Sequence, residues 1–331
     1  MSHSNSSLNC FASCMAKYEQ RYILHNEPTK ISPHLTFGTM AHDVLYKAGV
    51  LRDETRDDVA STDYSTIIPS EVLYQDLKNE FQIKNWQAYF KPIIKQVAKY
   101  EQECIDELSE TGNVQLEREI KLQLTVEQLH QFGYHQITQP LVGIVDLLLY
   151  TPTAAIILDY KFANKKKTQD NFDLDSQLPL YAFMVHILYD IPLHNIQYGY
   201  IDIPKEMSNM PTVLSNGTLS RSKSQNVTQE DYKRAVDAVH ENDPYYNCEP
   251  GGYYYDCWCH MAHNKPAYMS KQYLDIDVYE HTIDMLFKTA GLIDTMIENK
   301  LPMVQKFDAY SCQNCEYSKY CKAYLTEVFN E

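Results

Sequence analysis

The chain has 331 residues, 44% of them hydrophobic, and a formal net charge of −15. That is enough to bury a proper core in one large domain or two ordinary ones, so the chain should be globular. The excess of acid excludes a surface that grips nucleic acid everywhere and confines any such contact to a local basic channel.

Nine cysteines and the N-terminal "MSHSNSSLNCFASC", which lacks a basic region followed by an apolar run, fit no signal peptide and a reducing, cytoplasmic setting. Thiols or metal ligands are then expected rather than disulfides. The 27 tyrosines read mostly as polar-tolerant core and surface.

In chain order, residues 7–24 read as a helix with apolar Leu8, Phe11, Met15, Tyr18 and Tyr22 at three- and four-residue steps and Cys14 on it. A second helix over 37–47 carries His42 and ends at Gly49; residues 51–70 form a polar, acidic loop, and 71–109 are helical again. The period then shortens. "QLEREIKLQLTV" alternates as a half-buried strand does, "LVGIVDLLLYTPTAAIILDYK" (residues 141–161) supplies two strands, and "NIQYGYIDI" another. "SQLPLYAFMVHILYD" is a helix with Pro179 tolerated in its first turn. Residues 205–230 look like an exposed insertion or linker, and a helix over 279–298 leads to the last cysteines. No internal repeat is visible. This gives an α/β (α+β) chain with a central mixed sheet flanked by helices.

The stretch 141–161 approaches membrane-spanning length, but Asp146, Pro152 and Asp159 interrupt it. A hairpin centred between Pro152 and Thr153 places Asp146 opposite Asp159, with Lys161 on the face of Asp159. Opposed buried carboxylates repel, which makes sense chiefly if a cation sits between them. Two aspartates suit magnesium or manganese better than zinc. Such an ion polarises a phosphoryl oxygen and acidifies water, and Lys161 orients that water and neutralises developing charge. The alternative is a strand end where the aspartates cap a turn and Lys161 balances them. Gln177 and Tyr181 share one helix face after the basic "KFANKKK", and His42 offers an imidazole.

Together these residues resemble the PD-(D/E)xK nuclease superfamily, in its RecB- and AddB-like branch with related phage and CRISPR-adaptation exonucleases. "FGTMAH" resembles the histidine motif, "GIVDLLLY" the glycine-to-aspartate strand, "ILDYK" the Asp–x–Lys core and "QLPLY" the Gln–xxx–Tyr motif. The resemblance implies a restriction-endonuclease-like fold in which His42, Asp146, Asp159 and the carbonyl of Tyr160 hold Mg or Mn. Lys161 is then the catalytic lysine, with Gln177 and Tyr181 positioning it or DNA. An accessory acid would be Glu117 or Glu119.

Cys312, Cys315 and Cys321, spaced C–x2–C–x5–C, resemble the family's C-terminal triplet, which joins one N-terminal cysteine in a [4Fe-4S] cluster. "SLNCFASCMAKY" points to Cys14 rather than Cys10. The cluster would clasp the two chain ends across about three hundred residues; zinc on the same thiolates is the alternative. Cys248, Cys257, Cys259, His260 and His263 read as buried thiols and surface histidines.

"PTVLSNGTLSRSKSQNVTQEDYKRAV" resembles a segment of phage-encoded exonucleases. The implied organisation is residues 1–50 with Cys14 and His42, a helical insertion 51–113, a nuclease core 114–204, a polar and helical region 205–300 and a cluster-binding segment 301–331, in one integrated domain. The implied activity is metal-dependent hydrolysis of DNA at ends or in single strands, in phage-type recombination, replication or repair. A structure-specific endonuclease or an inactive DNA-end-binding module are the alternatives. Partners would be DNA and recombination or replication proteins, in the bacterial host cytoplasm if phage-encoded. Lys165, Lys166 and Lys167 are candidate phosphate contacts, Arg221 and Lys223 weaker ones.

Overall fold

The computed structural model describes residues 1–55, 62–163, 168, 172, 174–206, 210–241, 243–303 and 309–321. Lys165, Lys166 and Lys167 lie outside the described residues.

Reciprocal hydrogen bonds between Ser4 and Ser7 start helix α1 (Asn5–Ser13). The single helix expected over 7–24 breaks at Cys14, whose backbone is extended (φ −163°, ψ 111°). The chain restarts as α2 (Met15–Tyr18) and closes in a π-helical turn, Glu19–Ile23. Cys14 therefore sits at a junction between helices rather than within one.

Helix α3 (Pro33–Thr55) is twice the expected length and runs through Gly49. A Cβ at Gly49 would stand 2.5 Å from the Arg118 guanidinium carbon. That glycine serves close approach, not helix termination. The helix expected over 71–109 is divided into α4 (Gln75–Glu80) and α5 (Trp86–Ser109). Left-handed Gln82 (φ 53°) interrupts it, and Asn85 caps the restart by accepting from Ala88 N at 2.7 Å.

Strand β1 (Gln115–Leu124) follows as expected, then a short helix α6 (Val126–Gln131), unforeseen but started by a Thr125–Gln128 capping box. Next come β2 (Leu141–Tyr150), β3 (Ala155–Phe162), α7 (Gln177–Tyr189) and β4 (Ile196–Ile203). After them lie α8 (Gln229–His240), α9 (Tyr255–Met261), β5 (Tyr268–Tyr273), α10 (Ile276–Glu298) and α11 (Ala309–Gln313). β5 escaped the sequence reading because all but one of its residues are half-buried, with no alternation to see.

The five strands form one sheet in the order β1-β2-β3-β4-β5. Only β3 and β4 are parallel, and α7 makes the crossover. This mixed sheet flanked by helices is the α+β fold expected. The β2–β3 pairs run from Leu147↔Leu158 to Tyr150↔Ala155, which is the register that directs Asp146 toward Asp159.

Both faces of the sheet are covered. On one, Val145, Leu148 and Ile157 pack with Leu180 and Met184 of α7 and Phe287 of α10. On the other, Leu147, Leu149, Ile156 and Leu158 pack with Phe37 of α3 and Phe90 and Ile94 of α5. Burial on two sides explains why 141–158 reads as a nearly continuous apolar run. A third cluster joins Leu219, Val227, Tyr232, Tyr254 and Cys257. Leu219 and Val227 are thus buried, and the segment 205–230 expected as an exposed linker contributes to a core. None of the described helices is long and apolar enough to cross a membrane.

Along β1 and β2 the two cores exchange sides in step. Leu116 packs with the α5 layer but Ile120 and Leu122 with the α7 layer; Leu147 and Leu149 lie in the former, Val145 in the latter. Residues two apart on a regular strand share a face, so both strands turn over at Glu119 and Asp146. Glu119 carries φ +47° to do so, a backbone cost that non-glycine residues bear chiefly at functional sites.

Gly49→Ala should cost about 1–3 kcal/mol of stability by forcing Arg118 from its place. Urea unfolding measures it; an unchanged midpoint would mean that Arg118 yields freely.

Candidate active site

The turnover at Asp146 parts the strands where the sheet would otherwise continue pairing. Tyr160 N donates to Asp146 Oδ2 at 2.7 Å, and Asp146 Oδ1 lies 3.3 Å from His42 Nδ1. His42 comes from α3 in one layer. From the other layer, Gln177 opens α7, its position set by Asp175, whose Oδ1 accepts from the main-chain N–H of Gln177 and Leu178, each at 2.8 Å.

Gln177 is the hub of the second half of the site. Its Nε2 donates to Asp159 Oδ1 and to Tyr181 Oη, each at 2.8 Å, and its Oε1 accepts from Lys161 Nζ at 2.8 Å. Lys161 Nζ also lies 2.6 Å from Asp159 Oδ2. That approach is a buried ion pair, so Gln177 engages one Asp159 oxygen and Lys161 the other. Gly143 makes room for this arrangement, since a Cβ there would lie 2.8 Å from the Tyr181 ring.

Buried charge dominates the electrostatics. Burial, with the Asp146 charge behind it, pushes Asp159 up to about 7. Burial by itself lowers His42, but the hydrogen bond and charge of Asp146 outweigh it and the net shift is upward. Burial likewise lowers Lys161, and the Asp159 carboxylate outweighs it, so the amine is held as a cation.

The structure separates the two accessory-acid candidates. Glu117 is occupied elsewhere, accepting from Tyr150 Oη at 2.9 Å and Tyr189 Oη at 3.5 Å. Glu119 instead joins His42 and Asp146, their ligand atoms mutually within 4.8 Å, the one such group among the described residues. Burial and Asp146 raise its carboxyl as well.

Sequence reasoning missed the support beneath the site. Arg118 donates to Glu101 at 2.8 and 3.0 Å and to Asp53 at 2.9 Å, Arg52 also pairs with Glu101, and Tyr160 Oη reaches Glu101 at 3.4 Å. The available signal was an acid, Glu101, on the otherwise apolar buried face of an amphipathic helix.

Five of the nine cysteines lie near the chain ends, and no three of them come within 4.8 Å of one another among the described residues. Cys14, Cys312, Cys315 and Cys321 are half-buried, Cys10 buried. Glu316 pairs with Lys17 at 3.0 Å and accepts from Thr29 N at 2.8 Å, and Tyr320 Oη donates to the Glu27 carbonyl at 3.3 Å. Tyr317 N donates to Cys315 Sγ at 3.4 Å. Cys248 and Cys257 are buried, Cys259 half-buried, and His260 and His263 exposed. Arg221 stacks over Tyr253 at 4.5 Å, in the third cluster.

A model of the PD-(D/E)XK nuclease superfamily matches residues 2–322. The chain belongs to that superfamily. Two solved structures are similar in outline: a candidate exonuclease from Eubacterium rectale, at 10% identity and TM-score 0.44, covering 97% of this chain and 88% of that one, and SSO0001, at 9% identity and TM-score 0.27, covering 95% of each. No curated protein matches.

Asp159 titrates near 7 when folded against an ordinary value of about 3.9. The folded, metal-free state therefore holds this proton more tightly, and the stability it contributes is lost as pH rises through about 7. A cation competes with that proton and with the one on His42. The melting-temperature rise induced by manganese should grow between about pH 6 and about pH 8. Asp159→Asn should abolish the rise and lose less metal-free stability over the same interval; thermal scans at both pH values decide it.

Proposed function

We propose that this chain is a divalent-metal-dependent deoxyribonuclease that hydrolyses phosphodiester bonds at DNA ends or in single strands. The observation that carries this reading is the convergence of His42, Asp146, Asp159, Lys161, Gln177 and Tyr181 at one parting of a buried sheet. The donor set fits magnesium or manganese: the imidazole of His42 and the carboxylates of Glu119 and Asp146 lie in reach of one another, with buried Asp159 beside them.

His42, Asp146 and Asp159 would hold the cation, with Glu119 and the Tyr160 carbonyl completing the set. When bound, it supplies a Lewis acid for the scissile phosphate and a more acidic water. The chain's own groups do the rest. Lys161, kept protonated by Asp159, faces the phosphate as a cation and stabilises the charge that develops there. Gln177 fixes Lys161 and Asp159 relative to each other through opposite ends of one amide, and Tyr181 fixes the amide.

On this reading the chain sits in the RecB- and AddB-like branch, acting in DNA recombination, replication or repair. Cys14, Cys312, Cys315 and Cys321 hold a [4Fe-4S] cluster that clasps the chain ends. The contacts of Glu316 and Tyr320 with Lys17, Thr29 and Glu27 support the clasp, and the N–H donated to Cys315 Sγ suits a thiolate ligand.

Cleavage of end-labelled DNA with magnesium or manganese tests the activity. Wild type should degrade linear but not circular duplex, or single strands, and Lys161→Ala should lose a hundredfold or more, roughly the worth of one charge-stabilising group. Metal-dependent cleavage unaffected by Lys161→Ala would contradict the assignment. Protein purified without air should carry iron and absorb in the visible, and Cys315→Ser should lose both; zinc in place of iron would refute the cluster.

A further inference from the structure

We propose that the cleft between α5 and α8 is the track on which a single DNA strand lies as it approaches the active site, its phosphates on Lys84, Lys91 and Lys95. The proposal rests on the nuclease reading for the identity of the strand. A cavity of about 960 Å³ opens between these helices, walled on one side by the three lysines and Ala88 and on the other by Asp231 and Arg234. Ala88, Lys91 and Lys95 recur at three- and four-residue steps and share a face of α5, Lys84 lies just before the Asn85 cap, and small Ala88 leaves the row accessible. A volume at the upper end of small-ligand sites takes a single strand but not a duplex.

Charge supports the assignment. Neighbouring Lys78 and Lys99 are paired with Glu71 and Glu103, whereas exposed Lys84, Lys91 and Lys95 have no ion pair among the described residues. On the facing wall, Glu230 and Asp231 hold Arg234 at 3.1 and 3.2 Å, and Asp231 also accepts from the Thr228 hydroxyl at 2.7 Å. Glu80 and Glu206 are the remaining acids of the cleft. In a chain of net charge −15, an unpaired cationic row complements a polyanion and little else.

The cleft and the site share helix α3. His34, in its wall, lies on α3 about two turns before His42. Lys205 Nζ stands 3.0 Å from His34 Nδ1 and 5.7 Å from the Phe81 ring centre. It follows β4 closely, and Asp202 of β4 pairs in register with Lys161. Tyr89 Oη ties α5 to the same turn, donating to the Pro204 carbonyl at 2.7 Å. Lys205 thus stands between the strand end that carries Lys161 and the lysine row, with the His34 imidazole beside it.

The test is binding of a labelled single-stranded oligonucleotide to the full chain across a salt series, in an Asp159→Asn background that cannot cleave. Adding Lys84→Ala, Lys91→Ala and Lys95→Ala should reduce the slope of log affinity against log salt by about 2, for three lost phosphate contacts, whatever the sequence. Lys288→Ala with Lys300→Ala, exposed on α10 and just beyond it, should leave it unchanged. An unchanged slope in the triple variant, an equal fall in the control, or a fall seen with duplex alone would overturn the proposal. With Asp159 restored, the triple variant should raise KM and keep kcat. If wild type cleaves nothing while the slope falls, the track stands and the nuclease reading fails; if wild type cleaves and neither slope nor KM moves, the track fails and the nuclease reading stands.

Discussion

Two neighbouring buried carboxylates inside a sheet set the terms for the rest of this molecule. Asp146 and Asp159 are 9% and 3% exposed, and their mutual repulsion in a medium poorer than water in solvating charge is only partly offset by the protein. Lys161 meets one of them and His42 the other. The upward shift of Asp159 records the remaining deficit, and a divalent cation relieves it more completely than a proton does.

The architecture keeps that unfavourable pair from being relaxed away. The two apolar cores hold β2 and β3 in register up to Leu147 and Leu158, so the strands cannot slide to separate the charges without turning buried residues outward. At the next step both β1 and β2 turn over, and groups from the two helical layers meet: His42 from α3, and Gln177 with Tyr181 from α7. Arg118 and Glu101 secure the turnover. Their buried pairing, shared with Asp53 and Arg52, ties the end of α3 to α5 and to β1 beside Glu119. Removal of one partner from such a network leaves the other charge buried and unpaired, which costs more than the pair contributes.

The sequence made the hairpin and its charges legible because strand periodicity and a short turn fix register by arithmetic, and Gln177 and Tyr181 because helix periodicity puts residues four apart on one face. The sheet's mixed α+β class followed from the same periods. Features decided by contacts between distant segments were not legible. Gly49 looked like a helix stop because the Arg118 side chain that requires it lies far along the chain. Cys14 looked helical because nothing local announces the extended backbone at that point. Glu119 could not be separated from Glu117 because the turnover that sends them to different partners depends on a single left-handed residue. β5 lacks the alternation that marks a strand with one wet face.

Anomalous diffraction at the manganese edge from manganese-soaked crystals tests most directly whether this parting of the sheet is a metal centre. The account predicts an anomalous peak bounded by His42, Glu119, Asp146 and Asp159, absent in crystals of Asp146→Asn. Wild-type crystals with no peak there, at a manganese concentration that supports cleavage in solution, would contradict it.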